Sequence, residues 1–262
     1  MNATVISHVY NEEYLMPWWL EHHKKIFDRG IIIDYDSTDR TVDLVREICP
    51  DWIVVKSRNK WFGALEIDSE VMCIEKMIGG WKVALNTTEF FVHNDEFINE
   101  MKCKNQIFLP SLTMIDSPDQ FMTQPDKNRS LIDQRYHGIP IISVPILDRG
   151  HHARSMHNVN IEYPGGRHYP ISHYSWIDKP KIECYPTNNA LILWYGYCPM
   201  NTDIMKRKCQ IKHRIPQSDI DKGSGYHHFQ NENQFKSIVP HYAFPHVRSF
   251  KNEIAKYHRF TE

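Results

Sequence analysis

Short apolar runs and amphipathic stretches alternate along the first part of the chain. Apolar, β-branched and aromatic residues predict strands at residues 4–9, 31–33, 52–56 and 90–92. Helical patterns fill the intervals, at residues 11–27, 40–48 and 65–78. Strand and helix in regular alternation predict a parallel sheet with helices on both faces, so the pattern indicates the α/β class.

The second half of the chain is less regular. Residues 106–114 and 139–144 predict strands, whereas residues 151–186 are rich in proline, glycine and aromatic residues and predict loops. Residues 204–213 predict a basic helix, and its basic run 206–208 is expected on the solvated surface. Since no repeat, linker or shift in composition divides the sequence, we expect a single domain over residues 1–262.

Composition and charge narrow the class of protein. The 262 residues are 41% hydrophobic and 24% charged with formal net charge −1, which is typical of a globular protein and argues against nucleic acid as a partner. No apolar window approaches the roughly 20 residues of a membrane span, and the N-terminus lacks the blocks of a signal peptide. We therefore expect a soluble cytoplasmic protein whose cysteines are reduced thiols.

Polar clusters follow three of the predicted strands, at residues 10–13, 34–39 and 93–96. Because ligands of open parallel sheets bind beyond the carboxyl ends of the strands, we expect these clusters to form one site at one edge. No glycine-rich phosphate-binding loop accompanies them. Acidic residues at an anion site therefore predict a divalent cation, Mn²⁺ or Mg²⁺, between carboxylate and diphosphate.

The three clusters resemble motifs of the GT-A glycosyltransferases, most closely those of family 2 and family 92-like members. The resemblance rests on Tyr-Asn-Glu-Glu at 10–13, Asp-Tyr-Asp-Ser-Thr-Asp at 34–39 and Asp-Glu-Phe at 95–97. Segments at 154–157, 173–174 and 223–227 extend it more loosely, and glycosyltransferases of large DNA viruses share it less closely. It implies a GT-A, Rossmann-like fold: a mostly parallel sheet flanked by helices, with an irregular C-terminal half completing the active site.

The same resemblance implies an activity and its partners. A metal-dependent transferase of this kind moves a hexosyl or pentosyl group from a nucleotide diphosphate sugar, most often a UDP-sugar, with GDP as the other donor. The acceptor would be a hydroxyl of an oligosaccharide or glycoprotein, reached with inversion. Residues 1–100 would bind the nucleotide and residues 101–262 the acceptor. Two alternatives stay open: a nucleotidyltransferase, and a non-catalytic nucleotide- or carbohydrate-binding module.

The resemblance also assigns site residues by their position in the motifs. The expected nucleotide-binding residues are Val9, Tyr10, Asn11, Glu13, Asp36, Lys56, Arg58 and Asn94. The expected metal ligands are Asp95, His173 and His93. His93 stands where the family has its first acidic residue, and His157 and His227 are rivals of His173. Asp39 is expected to cap the helix that follows it.

Inverting transfer needs a carboxylate base within reach of the acceptor hydroxyl. Asp116, just after the predicted strand 106–114, is the first candidate, and Asp148 is the second. Arg154, Lys56 and Arg58 are expected to balance the charge of the leaving diphosphate. The aromatic residues that are candidates to stack on sugar faces are Trp61, Phe62, Trp176, Trp194 and Tyr195.

Overall fold

The computed structural model describes residues 1–139, 154–164, 166, 167, 185–223, 228, 229 and 231–261. The strands are β1 (Ala3–Val9), β2 (Arg29–Asp34), β3 (Ile53–Lys56), β4 (Trp81–Ala84), β5 (Glu89–His93), β6 (Gln106–Leu109), β7 (Ser111–Met114), β8 (His137–Ile139), β9 (Arg154–His157), β10 (Tyr185–Pro186), β11 (Ala190–Trp194) and β12 (Arg248–Ser249). The α-helices are α1 (Met16–His23), α2 (Thr41–Ile48), α3 (Ala64–Met77), α4 (Asp95–Cys103), α5 (Leu131–Gln134), α6 (Thr202–Gln210), α7 (Gln217–Asp221), α8 (Glu232–Ile238) and α9 (Lys251–Ile254). Shorter turns of helix lie at Ile211–Arg214, directly after α6, at Val239–Ala243 and at Phe244–His246.

The larger sheet has the strand order β10-β6-β9-β4-β1-β2-β3. Strand β1 is central and runs parallel to both β2 and β4, while β3 runs parallel to β2. Strand β9 is antiparallel to its neighbours β4 and β6, so the sheet is mixed but mostly parallel. The predicted α/β class, with a mostly parallel sheet flanked by helices, is confirmed.

Both faces of β1 are buried, which explains why its apolar residues lie on both faces instead of on one. Val5 and Val9 point to one face and pack in the main core with residues of α1, such as Trp19. Ile6 points to the other face and packs with Ile67 and other residues of α3. Because the side chains of a strand alternate in direction, His8 shares the face of Ile6 and reaches the carboxyl edge of the sheet on that side.

Strand β4 is not predicted from the sequence pattern. The predicted helix at 65–78 is followed directly by the predicted strand at 90–92, because β4 is only four residues long and carries a lysine. Lys82 is nevertheless buried, and its Nζ donates to the carbonyl of Ile78 over 3.0 Å. The strand beside β1 is therefore Trp81–Ala84, and its carboxyl end leads into residues 85–88.

The predicted strand at 90–92 exists as β5, but it belongs to a second sheet. This sheet has the order β12-β8-β7-β11-β5, and β5 pairs antiparallel with β11 from Ala190↔His93 to Trp194↔Glu89. The expectation that residues 93–96 follow a strand of the first sheet is therefore wrong. Asp95 and Glu96 begin α4 at the far end of β5.

Two adjacent histidines of α1 complete the hydrogen bonds of the β5 edge. His22 Nε2 lies 2.7 Å from the carbonyl oxygen of Phe91, and the Phe91 amide donates to Nε2 of His23 over 3.1 Å. Nδ1 of His23 lies 2.9 Å from the carbonyl of Trp19, so His23 carries its proton on Nδ1. Burial lowers the pKa of His22 to about 4 and lowers that of His23 well below its usual value, so both rings are neutral.

Helix boundaries differ from the prediction mainly at α1. The helix expected from residue 11 begins at Met16, because residues 10–13 form a polar turn in which Asn11 has a φ of 52°. Helices α2, α3 and α6 lie close to the predicted positions. Within the described residues, no helix combines the length and apolar character needed to cross a membrane.

Candidate functional site

The turns after β1 and β2 are tied together by hydrogen bonds. The Asn11 amide donates to Ser37 Oγ over 3.0 Å, and the Thr38 amide donates to Asn11 Oδ1 over 2.8 Å. Both Asn11 and Asp36 have positive φ values, 52° and 59°, which non-glycine residues adopt mainly in tight turns. The side chain of Asn11 therefore holds the turn after β1 against the turn after β2.

Glu13 and Asp39 join the same two turns. The Glu13 amide donates to Asp39 Oδ2 over 3.1 Å, and the Arg40 amide donates to Glu13 Oε2 over 3.1 Å. Asp39 Oδ1 accepts from the amide of Thr41, the first residue of α2, over 2.9 Å. The expected role of Asp39 at the start of this helix agrees with these bonds, and Glu13 shares that structural work.

A cavity of about 310 Å³ lies beyond the carboxyl ends of β1 and β4. Its wall is made by the ends of these strands, by β9, by α6 and by the turn after α6. The polar residues that line it are His8, Tyr10, Glu12, Asn86, Thr87, Thr88, Arg154, Arg207, Lys208, Gln210 and His228. An adjoining cavity of about 150 Å³ shares His8, Asn86 and Arg154 with it. We call the two together the edge cleft.

The polar loop after β4 occupies the place that the sequence analysis gave to residues 93–96. Residues 86–90 read Asn-Thr-Thr-Glu-Phe, and residues 93–97 read His-Asn-Asp-Glu-Phe. Both segments end in Glu-Phe. The topology places the first of them at the edge cleft, where Asn86, Thr87 and Thr88 form part of the wall.

The cluster at 93–96 lies away from the edge cleft. Strand β5 separates Glu89 from His93 by about 13 Å at its usual rise per residue. Ligands of one cation lie within a few ångströms of each other, so the two ends of β5 cannot share an ion. His93 instead lines a different cavity, together with His22 and His258. The proposed site therefore does not include His93, Asn94 and Asp95.

Arg154, which lines the edge cleft, forms a buried ion pair with Glu89 behind the cleft wall. Arg154 Nε and Nη2 lie 3.0 Å and 2.7 Å from the two carboxylate oxygens of Glu89. Glu89 also accepts from the amide of Asn86 over 2.8 Å, and Arg154 Nη1 donates to the carbonyl of Gly166 over 2.9 Å. Burial raises the pKa of Glu89, against the opposing effect of Arg154.

Glu12 is bound by a residue of α6. Arg207 donates to both carboxylate oxygens of Glu12, through Nε and, over 2.6 Å, through Nη2. The same Nη2 lies 3.0 Å from Thr87 Oγ1, so α6 is tied to the turns after both β1 and β4. Gln210 adds a bond of 2.6 Å to the carbonyl of Asn11. The basic run of α6 thus closes one side of the cleft.

The expected exposure of this basic run is wrong for two of its three residues. Lys206 is exposed, but Lys208 is only 7% exposed and the Arg207 side chain 15%. Lys208 Nζ lies 4.1 Å from the centre of the Tyr197 ring, a cation–π contact. Asn201 caps this helix by accepting from the amides of Asp203 and Ile204. The sequence pattern predicts the basic helix but not which of its faces packs toward the sheet.

The described residues of the edge cleft do not form a donor set for a divalent metal. Within the described ranges, no group of three or more His, Cys, Asp or Glu residues is placed to hold an ion. The carboxylates of Glu12 and Glu89 already bind Arg207 and Arg154, and the loop after β4 offers an amide and two hydroxyls. Mn²⁺ and Mg²⁺ prefer carboxylate oxygens that are free to bind them.

His8 lines both cavities of the edge cleft. Its ring lies 5.6 Å from that of Phe62 and 6.2 Å from that of Tyr35, centre to centre. Burial lowers the pKa of His8 to about 3, and the charges of Arg154 and Arg167 act in the same direction. His8 is therefore neutral, with one nitrogen that donates and one that accepts. The sequence analysis missed this residue because it precedes the polar cluster.

The remaining predicted nucleotide-binding residues lie at the β1–β3 end of the edge. Asp36 and Lys56 form an exposed ion pair of 2.7 Å, which lowers the pKa of Asp36. The Tyr10 ring packs under the guanidinium of Arg214, 4.5 Å from its centre. The backbone of Arg58 donates to Glu70 Oε1 over 2.7 Å, which places Arg58 beside α3.

Asp116 is buried in a structural network away from the cleft. Its Oδ1 lies 3.0 Å from Arg135 Nε and 3.1 Å from Cys198 Sγ, and its Oδ2 accepts from the Met200 amide over 2.6 Å. Asp116 is 0% exposed, and burial raises its pKa. This placement gives an acceptor no access to the carboxylate, so the candidacy of Asp116 as the base is not retained.

The structural role of Asp116 is testable by substitution. We expect Asp116→Asn to lower the free energy of unfolding by about 2–3 kcal/mol, since it leaves the buried Arg135 without its counter-charge. Chemical denaturation at neutral pH measures this loss. Asp119→Asn, at an exposed position three residues later, is the control and should change stability little. Unchanged stability of Asp116→Asn would contradict the assigned role.

Several predicted residues lie outside the described residues. They are Asp148, His173, Trp176 and His227. His157 is described: it is buried beside Glu75, 3.4 Å from that carboxylate, and its Nδ1 lies 2.6 Å from the carbonyl of Val159. His157 is not one of the described residues that line the edge cleft. Of the aromatic candidates, Phe62 and Trp194 line the cleft.

Comparisons with known proteins give distant likenesses. No family model matches the chain, and no curated protein matches it. Staphylococcus aureus TarS 1–349 in complex with UDP-GlcNAc is similar with a TM-score of 0.40 and 11% identity, over 97% of this chain and 75% of that chain. Against TarS 1–349 without a ligand the match has a TM-score of 0.33 and 16% identity, over 48% of this chain and 39% of that one.

Two further solved structures are similar to the chain. HddC from Yersinia pseudotuberculosis has a TM-score of 0.40 and 12% identity, over 78% of this chain and 96% of that chain. Glucosyl-3-phosphoglycerate synthase from Mycobacterium tuberculosis, in complex with Mn²⁺, UDP and glucosyl-3-phosphoglycerate, has a TM-score of 0.31 and 14% identity, over 43% and 44%.

Proposed function

We propose that the chain is a glycosyltransferase that takes its sugar from a nucleotide diphosphate sugar. The observation that carries this proposal is the edge cleft at the carboxyl ends of β1 and β4, where open α/β sheets bind their ligands. Its wall holds Arg154, Arg207 and Lys208 together with the amide and hydroxyl groups of residues 86–88. Cations and neutral donors of this kind suit the oxygens of a diphosphate.

The nucleoside is proposed to lie at the β1–β3 end of the same edge. Asp36 follows β2, and Lys56 is the register partner of Asp34 at the end of β3. The carboxylate of Asp36 is exposed and can accept a hydrogen bond from the N–H of a uracil or guanine ring. Tyr10 and the backbone of Val9 continue this surface along β1, which supports their expected role.

The motifs at 10–13 and 34–39 support a more specific proposal for the nucleotide, the reaction and the acceptor. UDP is the proposed nucleotide. In the proposed reaction a hydroxyl of an oligosaccharide or glycoprotein attacks the anomeric carbon with inversion, the bond from that carbon to the diphosphate breaks, and UDP leaves. Asp148 is the proposed base that takes the proton of the hydroxyl. The acceptor would enter beside the adjoining cavity, which Asp68 and Arg167 line. The whole chain is proposed to act as one domain, with its second half closing the site through α6 and β9.

Ligand-dependent thermal unfolding tests the proposal. A nucleotide or nucleotide sugar that binds the folded chain should raise its stability, by about 2.7 kcal/mol at 100 times the dissociation constant. UDP, GDP and dTDP and their sugars form the panel, and uridine without phosphate is the matched control. Release of a nucleoside diphosphate would separate a glycosyltransferase from a nucleotidyltransferase, which releases pyrophosphate. If no member of the panel stabilises the chain, the proposal fails.

A further inference from the structure

The polar loop after β4 lines the edge cleft, but its side chains there carry no charge. Residues 86–88 read Asn-Thr-Thr and line the edge cleft. An amide oxygen and two hydroxyls are neutral ligands, so the loop brings no charge to hold a divalent ion. The neighbouring acidic residue, Glu89, is 0% exposed and bound to Arg154 through both oxygens.

The carboxylate of Glu12 is likewise held by an arginine. Glu12 is 8% exposed, and both of its oxygens accept from the guanidinium of Arg207. A cation placed there would have to displace this two-point contact with Arg207. Asp68, in the adjoining cavity, accepts from the Gly166 amide over 2.6 Å. Burial raises the pKa of Asp68, which disfavours its charged form.

Two basic side chains of α6 face the edge cleft. Arg207 and Lys208 are consecutive on α6, and both line the cleft, while Lys206 before them is exposed. Glu12 and Thr87 hold the Arg207 guanidinium from two sides, through Nε and Nη2. Its Nη1 makes no hydrogen bond to any part of the chain that the structure describes.

We propose that Arg207 and Lys208 of α6, with the amide and hydroxyl groups of residues 86–88, bind the diphosphate oxygens of the donor, so that the site binds a nucleoside diphosphate without a divalent metal. The inference rests on the proposed function for the identity of the ligand. Its anion-binding part, which is recognition of a pyrophosphate group by these side chains, is testable without any sugar transfer. A guanidinium held in place by Glu12 and Thr87 loses little freedom when it binds an oxyanion.

Calorimetric titration with inorganic pyrophosphate and with UDP tests the inference. The wild-type chain is titrated once in EDTA and once in Mn²⁺, and Lys208→Gln and Lys206→Gln are titrated in EDTA. We expect wild-type affinities that agree within about threefold between EDTA and Mn²⁺. We expect Lys208→Gln to weaken both ligands about tenfold or more, because it removes a charge-assisted contact. Lys206→Gln, on the exposed face of the same helix, should leave both affinities unchanged.

Circular dichroism and thermal unfolding first establish that each variant is folded. Should Lys208→Gln not fold, Lys208→Arg serves instead: it keeps the charge and should retain binding in EDTA. Mn²⁺-dependent binding of both ligands with no effect of Lys208→Gln would overturn the inference. Binding of pyrophosphate in EDTA without any binding of UDP would support it and contradict the proposed function instead. Absence of binding by either ligand, in EDTA and in Mn²⁺, would overturn both.

Discussion

Replacing Arg154 with methionine is expected to lower the free energy of unfolding by about 3–5 kcal/mol at neutral pH, because it leaves the buried Glu89 carboxylate without its partner. Methionine has a similar length and no charge, so the loss reports mainly on electrostatics. In the variant, the amide of Asn86 remains a donor to Glu89 but cannot replace a guanidinium bound through two nitrogens. Denaturant unfolding at pH 7.5 measures the change.

The pH dependence of this variant has a definite sign. Burial already raises the pKa of Glu89, and removing Arg154 raises it further. A carboxyl whose folded-state pKa lies above its unfolded value stabilises the protein at low pH and loses that contribution as pH rises. The difference in the free energy of unfolding between wild type and Arg154→Met should therefore become smaller as pH falls from 7.5 toward 5.

Two further variants complete the test of the ion pair. Arg154→Met combined with Glu89→Gln removes the stranded charge and should recover part of the loss. Arg248→Met breaks the exposed Arg248–Glu253 pair, whose side chains are 52% and 42% exposed, and should cost less than about 1 kcal/mol. Equal losses for Arg154→Met and Arg248→Met would show that the pair behind the cleft wall contributes no more than a surface contact.

The protein is expected to lose several kcal/mol of stability between pH 7 and about pH 4.5 through three histidines, His8, His22 and His23, whose pKa is low in the folded state. Burial lowers the pKa of His8 to about 3 and that of His22 to about 4, and it lowers that of His23 well below the usual value. Between these values and about 6.5 the unfolded chain binds more protons, so the free energy of unfolding falls as pH drops. At about 1.4 kcal/mol per unit, His8 and His22 each contribute roughly 2 kcal/mol by pH 4.5.

Buried carboxyls act in the opposite direction. Burial raises the pKa of Glu89 and of Asp116, so the folded state takes up their protons more readily and part of the loss is offset. Denaturant unfolding at intervals of pH separates the two effects when the histidines are changed one at a time. His23→Gln should lower stability at pH 7.5 but flatten its dependence on pH. His241→Gln, at an exposed position, is the control; an identical slope for His23→Gln and wild type would contradict the assignment.

The alternation of apolar runs and helical patterns was sufficient to predict the first three strands and the class of the fold. Strands β1, β2 and β3 each contain β-branched apolar residues, and charged residues lie at the ends of β2 and β3. Strand β4 was not predicted because Lys82 interrupts a short apolar run. The burial of Lys82 depends on the contact of its Nζ with the carbonyl of Ile78. Local pattern does not reveal such a contact, because the partner is chosen only when the chain has folded.

The sequence by itself determined which polar groups stand at the ends of β1 and β2, since these follow directly from the strands that precede them. Tertiary structure decided which polar segment meets them. The pairing of β4 with β1 places residues 86–88 at the edge cleft, and the pairing of β5 with β11 carries Asp95 away from it. Tertiary structure also turned Arg207 and Lys208 inward. The physical reason is that strand order and the facing side of a helix depend on contacts between residues far apart in the chain, such as Glu12 with Arg207, which no local spacing encodes.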